Sequence, residues 1–136
     1  MSEPRSQAAG CLLPSGHVAI VGGLDADNSP RSDGEIFNPE TEEWRPMPAA
    51  MHPRGACDVT AVPGGLLVVG CSGGSSPFVP CELYDEESDR WFLLPHHMVE
   101  PRVAAKAVVV PVAALMQRQR KQRDKDPAAA LYDAPF

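Results

Sequence analysis

Residues 17–23 read HVAIVGG, and residues 66–71 read LLVVGC. Each is a short β-favouring apolar run closed by glycine. After the first come Glu35-Ile36-Phe37-Asn38 and then Trp44; after the second come Glu82-Leu83-Tyr84-Asp85 and then Trp91. Phe37 and Tyr84 lie 47 apart, as do Trp44 and Trp91, and each tryptophan follows its aromatic by seven residues. Pro4-Arg5, Pro53-Arg54 and Pro101-Arg102 step by 49 and 48. A period this long in strand-rich sequence points to a blade-type repeat rather than a single globular core. Such units bury their apolar faces only against neighbours, so the number of repeats decides whether the chain stands alone.

The intervening residues complete each unit. In the first, residues 8–13 are apolar and end at the turn Pro14-Ser15-Gly16, and residues 25–34 form a polar loop. Residues 35–37 make a third strand, residues 38–42 a turn, and residues 43–47 a fourth strand closed by Pro48. In the second, strands are expected at 58–62, 66–69, 81–84 and 90–94, with turns at Pro63-Gly64-Gly65 and at 85–89 and a Gly/Ser/Pro loop at 71–80. Trp-x-x-x-Pro recurs at 44–48 and 91–95. The expectation is an all-β chain of four-stranded antiparallel blades, with units at 1–50, 51–98 and 99–136.

These residues resemble the kelch repeat. That motif joins a glycine doublet closing an apolar strand to Glu-x-aromatic-Asp and then to a tryptophan. The positions here are Gly22, Gly23, Glu35, Phe37 and Trp44, then Gly70, Glu82, Tyr84, Asp85 and Trp91. Cys71 stands where the second unit should have its second glycine, and Asn38 where the first should have aspartate. The resemblance implies a kelch-type β-propeller, used mostly for protein–protein interaction and sometimes for catalysis.

The third unit departs further. Pro101-Arg102 and the apolar residues 104–111 fit a first strand, and Leu131-Tyr132-Asp133 falls where the third strand belongs. Between them residues 114–126 read ALMQRQRKQRDKD, with no apolar strand and no Gly-Gly, and the glutamate position is Ala130. Propellers close with roughly 4 to 8 blades. Three outcomes stay open: a segment of a larger propeller, assembly with copies of itself or another chain, or an open and marginal blade stack.

Composition narrows the function classes. The net charge is −6 over 136 residues with 43% hydrophobic residues, which argues against nucleic-acid binding. The basic residues cluster: positions 114–126 hold five basic and two acidic residues. That stretch reads as a solvated polar insertion, with a nucleic-acid or import-receptor motif as the sharper alternative. No apolar run approaches the roughly 20 residues of a membrane-spanning helix, and no signal peptide is evident, so an intracellular, cytoplasmic location is expected. Cys11, Cys57, Cys71 and Cys81 form no CxxC and no metal-ligand spacing, so free buried thiols are expected.

Candidate chemistry is sparse. Arg5, Arg54 and Arg102 recur at unit starts, which in kelch propellers lie near the central channel. They suit either contacts to acidic partners or hydrogen bonds to loop carbonyls. Glu35 and Glu82 form an imaginable acid–base pair, but their equivalence places them in different blades and favours a structural role. His17, His52, His96 and His97 show no ligand spacing. The copper site of kelch-type oxidases needs a tyrosine, histidine and cysteine set, whereas both tyrosines here belong to the repeat signature. No cofactor, metal or catalytic residue is expected. The expected function is a non-enzymatic protein-interaction module using loops such as 25–34 and 72–80, with self-association through exposed blade faces as a further route. The alternatives are scaffold for a kelch-type oxidase or sugar-modifying enzyme, or a truncated chain without function of its own.

Overall fold

The computed structural model describes residues 1–71, 79–96 and 98–111. Among these residues eight strands form two antiparallel sheets of four. The first holds β1 (Ala9–Leu12), β2 (Val18–Val21), β3 (Gly34–Asn38) and β4 (Glu43–Met47) in sequential order. The second holds β5 (Asp58–Val62), β6 (Gly65–Val69), β7 (Glu82–Asp85) and β8 (Arg90–Leu93), again in sequential order. Among the described residues the architecture is all-β, two four-stranded antiparallel blades that share one core.

Local chemistry explains the joints. Val62 pairs with Gly65, leaving Pro63-Gly64 as the two central residues of a hairpin turn. Proline presets the first position, and Gly64 at φ 84° supplies the positive φ that a type II turn needs at the second. The β3–β4 and β7–β8 turns share one device. The Asn38 carboxamide accepts the Glu40 N–H at 2.9 Å, and the Asp85 carboxylate accepts the Ser88 N–H at 2.9 Å. Their closing residues, Glu42 and Asp89, both take positive φ, 58° and 53°.

Register sorts the side chains into rows. Ala61 faces Leu66, Leu66 faces Tyr84, and Tyr84 faces Trp91. Leu66, Tyr84 and Trp91 are buried and join Ala19, Val21, Ile36 and Met47 of the first sheet in one core. The Trp91 Nε1–H donates to the Pro48 carbonyl at 2.7 Å, which fastens the row to the chain leaving the first blade. The matching row of the first blade is Leu12, Val18, Phe37 and Trp44. No described residues cover it: Trp44 is 39% exposed where Trp91 is 7% exposed.

The strand expected over residues 104–111 is corrected: none of those residues is in a strand. The segment runs beside β5 but bonds to it only in places. The Ala104 N–H donates to the Ala56 carbonyl at 3.1 Å, and the Ala107 N–H goes to the Asp58 carboxylate at 2.6 Å rather than to backbone. An apolar, β-branched run becomes a strand only where a backbone ladder receives it. Tyr132, the basic residues 114–126, His97 and residues 72–78 lie outside the described residues.

Candidate functional site

Two equivalent polar nodes sit where the chain enters each blade. In the second, the Arg54 guanidinium donates to the Gly70 carbonyl at 3.1 Å, to the Pro80 carbonyl, and to Glu82 Oε1 at 2.8 Å. In the first, Arg5 donates to the Gly22 carbonyl at 3.0 Å, to the Asp33 carbonyl at 3.1 Å, and to Glu35 Oε2 at 3.5 Å. Each glutamate also takes an amide from the incoming chain. Glu35 accepts the Ser2 N–H at 2.7 Å, and Glu82 accepts the Met51 N–H at 2.7 Å and the His52 N–H at 3.2 Å. In both nodes the arginine Nε is buried without a hydrogen-bond partner among the described residues.

The nodes differ in tightness. Arg54 and Glu82 are both 0% exposed. In the first node Asp33 is partly open to solvent and is shared with Arg31, whose Nε and Nη2 donate to its carboxylate at 2.8 Å each. Arg31 also pairs with Glu3. The Arg31 hydrogen bonds hold Asp33 down at about 2 against the opposing effect of burial, with Arg5 assisting. Asp33 and Glu3 in turn raise Arg31 above the usual guanidinium value. Burial pushes the Glu35 carboxyl up, but the Ser2 hydrogen bonds, the N-terminal charge and Arg5 outweigh it and leave it lowered.

The glycines and arginine carbonyls thread the units together. The Gly23 N–H donates to the Arg54 carbonyl at 2.8 Å, and a Cβ on Gly22 would lie 2.3 Å from that oxygen. One unit later the Cys71 N–H donates to the Arg102 carbonyl at 3.2 Å, and a Cβ on Gly70 would lie 2.9 Å from it. Cys71 fits because it lacks the positive φ of Gly23, which is 96°. The pattern extends to Gln7, Ala56 and Ala104, all at positive φ (51°, 46° and 53°). The Ala56 N–H donates to the Gln7 carbonyl, as the Ala104 N–H does to that of Ala56.

The arginines therefore fall into two classes. The side chains of Arg5 and Arg54 are buried and bonded to loop carbonyls and the glutamate of their own blade, the second of the two roles the sequence left open for them. Arg102 is exposed. Glu35 and Glu82 belong to separate nodes and share no reacting centre. The aromatics pair within blades, Phe37 with Trp44 at 5.0 Å between centroids and Tyr84 with Trp91 at 5.4 Å. The loop over residues 25–34 rises from the first node. Asp25 Oδ1 accepts the N–H groups of Asp27 and Ser29 at 2.9 Å each, and residues 26–29 are exposed at its tip.

Sequence reasoning missed the Arg31–Asp33–Glu3 cluster and the contact of Arg45 with Asp89 at 3.5 Å across the blades. Asp58 with Lys106 at 3.1 Å was also missed. None of these falls on a repeated position with a motif residue. Among the described residues no three His, Cys, Asp or Glu side chains group as metal ligands, and no helix is long and apolar enough to cross a membrane.

With this geometry in hand, the chain can be set beside known proteins. Residues 8–51 match the family model of the Kelch motif. Sixty residues are 37% identical to an F-box/kelch-repeat protein of Arabidopsis thaliana, a stretch covering 44% of this chain and 16% of that protein. The solved structure of YjhT superposes over 81% of this chain and 33% of its own, with TM-score 0.67 and 19% identity. The matched stretches thus span a third or less of these proteins' lengths.

Proposed function

We propose, from the Kelch motif matched over residues 8–51 and its recurrence one blade later, that the chain is a kelch-repeat, non-enzymatic protein-interaction module. The observation that carries this reading is the loop over residues 25–34. Its base is clamped by the first arginine–glutamate node and by the Arg31–Asp33 pair, while residues 26–29 stand exposed. A loop held at its base by a rigid scaffold is the usual carrier of recognition. Asp27 and the neighbouring Glu3 make the local surface acidic, which suits a protein partner presenting lysine or arginine rather than nucleic acid. The reading includes an intracellular, cytoplasmic setting, in keeping with four free cysteines. Any larger propeller that contains these blades would carry the loop in the same way.

The test is quantitative capture of cellular proteins on immobilised chain. Replacing residues 26–29 with glycine and serine should abolish the captured set, while Arg102→Ala should leave it. Retention of every captured protein by the loop variant would overturn the assignment.

A further inference from the structure

We propose that this chain associates head to tail with copies of itself, the open face of the first blade receiving the far face of the second blade of a neighbouring copy. The surface follows from the seam already inside the molecule. There Leu66, Tyr84 and Trp91, in the second blade's row that begins at Ala61, are buried against the first. The first blade carries the matching row, Leu12, Val18, Phe37 and Trp44, uncovered, with Leu12 62% exposed. The second blade's far side is uncovered at β8, where Phe92 is 45% exposed. Phe92 occupies the position that Arg45 holds in the first blade, 47 residues earlier.

The substitutions at the two open faces match each other. At the internal seam Arg45 meets Tyr84 and Asp89, and the Ser15 hydroxyl donates to Glu86. At the proposed seam the Arg45 position is Phe92 and the Tyr84 position is Phe37, so a polar pair becomes an apolar pair on both sides at once. The Ser15 and Glu86 positions become Gly64 and Pro39, which removes that polar contact without stranding a charge. Glu42, at the Asp89 position, is exposed and stays in solvent. The Trp44 Nε1–H, which makes no hydrogen bond among the described residues, gains the carbonyl of the neighbour's Pro95, as Trp91 has that of Pro48.

The neighbour's segment of residues 4–10, which leads into its β1, would take the place that residues 101–107 hold beside β5. It offers equivalents of what it displaces: Gln7 N–H for Ala104 N–H at the Ala56 carbonyl, and the Arg5 carbonyl for that of Arg102 at Cys71. A head-to-tail contact closes into a ring when the rotation allows. Taking the two described blades of each copy, two to four copies would make the roughly 4 to 8 blades of a closed propeller.

Light scattering on the whole 14.6 kDa chain over a dilution series tests this. The expected result is a discrete oligomer of two to four chains that dissociates on dilution. Trp44→Asp and Phe92→Asp should each yield folded monomer by circular dichroism. Mixed together they should form a one-to-one dimer, because each retains the face the other lacks. Monomer at every concentration, with residues 99–111 holding their place, would overturn the proposal. So would an oligomer that survives either substitution, or failure of two folded variants to pair.

Discussion

The three repeat arginines should differ sharply in what they contribute, because their surroundings differ although their sequence contexts match. Arg54→Met leaves Glu82, which is 0% exposed, with two backbone amides and the edge of His52 but without its cation. Removing one partner of a buried pair costs about 3–5 kcal/mol. It also strips the Gly70 and Pro80 carbonyls of their donor. Domains of this size have total stabilities of about 5–15 kcal/mol. With a urea slope of about 1–3 kcal/mol/M, the unfolding midpoint should fall by at least about 1 M. Arg5→Met should cost less, about 1–3 kcal/mol, because its ion pairs are longer, 3.2 and 3.5 Å, and Asp33 keeps Arg31. Arg102→Met should stay within about 0.5 kcal/mol, since the side chain is exposed. Urea unfolding followed by tryptophan fluorescence measures all three. Adding Glu82→Leu to Arg54→Met should recover part of the loss, because no unpaired charge then remains buried. Equal costs at Arg54 and Arg102, or no recovery in the double variant, would refute the buried-node reasoning.

Three further outcomes follow from the same geometry. Trp91→Ala should cost about 3–5 kcal/mol by opening the inter-blade core, whereas Trp44→Ala in the monomer should cost about 1–2 kcal/mol; thermal unfolding compares them. Gly22→Ala forces a Cβ to 2.3 Å from the Arg54 carbonyl at φ 63°, so it should destabilise far more than Gly16→Ala, whose Cβ meets nothing within 4 Å. Circular-dichroism melts of the two variants check this. Asp33 has a folded pKa of about 2 against its usual 3.8. Its contribution is therefore present above about 3.8 and lost as pH falls toward about 2. Asp33→Asn should flatten the stability profile across that window in acid titration.

The blades were legible because their markers are local. Pro63-Gly64 dictates its turn, residues 66–69 can only be a strand, with Leu66 and Val68 buried and Leu67 and Val69 half-buried on the other face, and the aromatic-to-tryptophan spacing sets which residues face each other across β7 and β8. The arginine nodes were only half legible. That Arg54 reaches Glu82 depends on the β6–β7 register bringing Glu82 opposite Val68, beside the end of β6 at Gly70. Recurrence alone left partner binding open. The positive φ at Gln7, Ala56 and Ala104 has no mark in the sequence, because none of these is glycine or asparagine; the contact between successive units imposes it. Residues 104–111 misled for a plain reason. Their composition is that of a strand, but composition does not provide the ladder a strand needs.

The account rests on Trp91 being sealed between two docked blades while its repeat partner Trp44 lies on an open face. Indole N–H exchange in deuterated solvent reads both at once, using the Phe92→Asp chain so that association cannot cover Trp44 and assigning the signals with Trp44→Phe. The Trp91 Nε1–H, bonded to the Pro48 carbonyl at 2.7 Å, should exchange slowly, and that of Trp44 should vanish at once. Equally fast loss of both signals from a folded chain would contradict the docked two-blade structure.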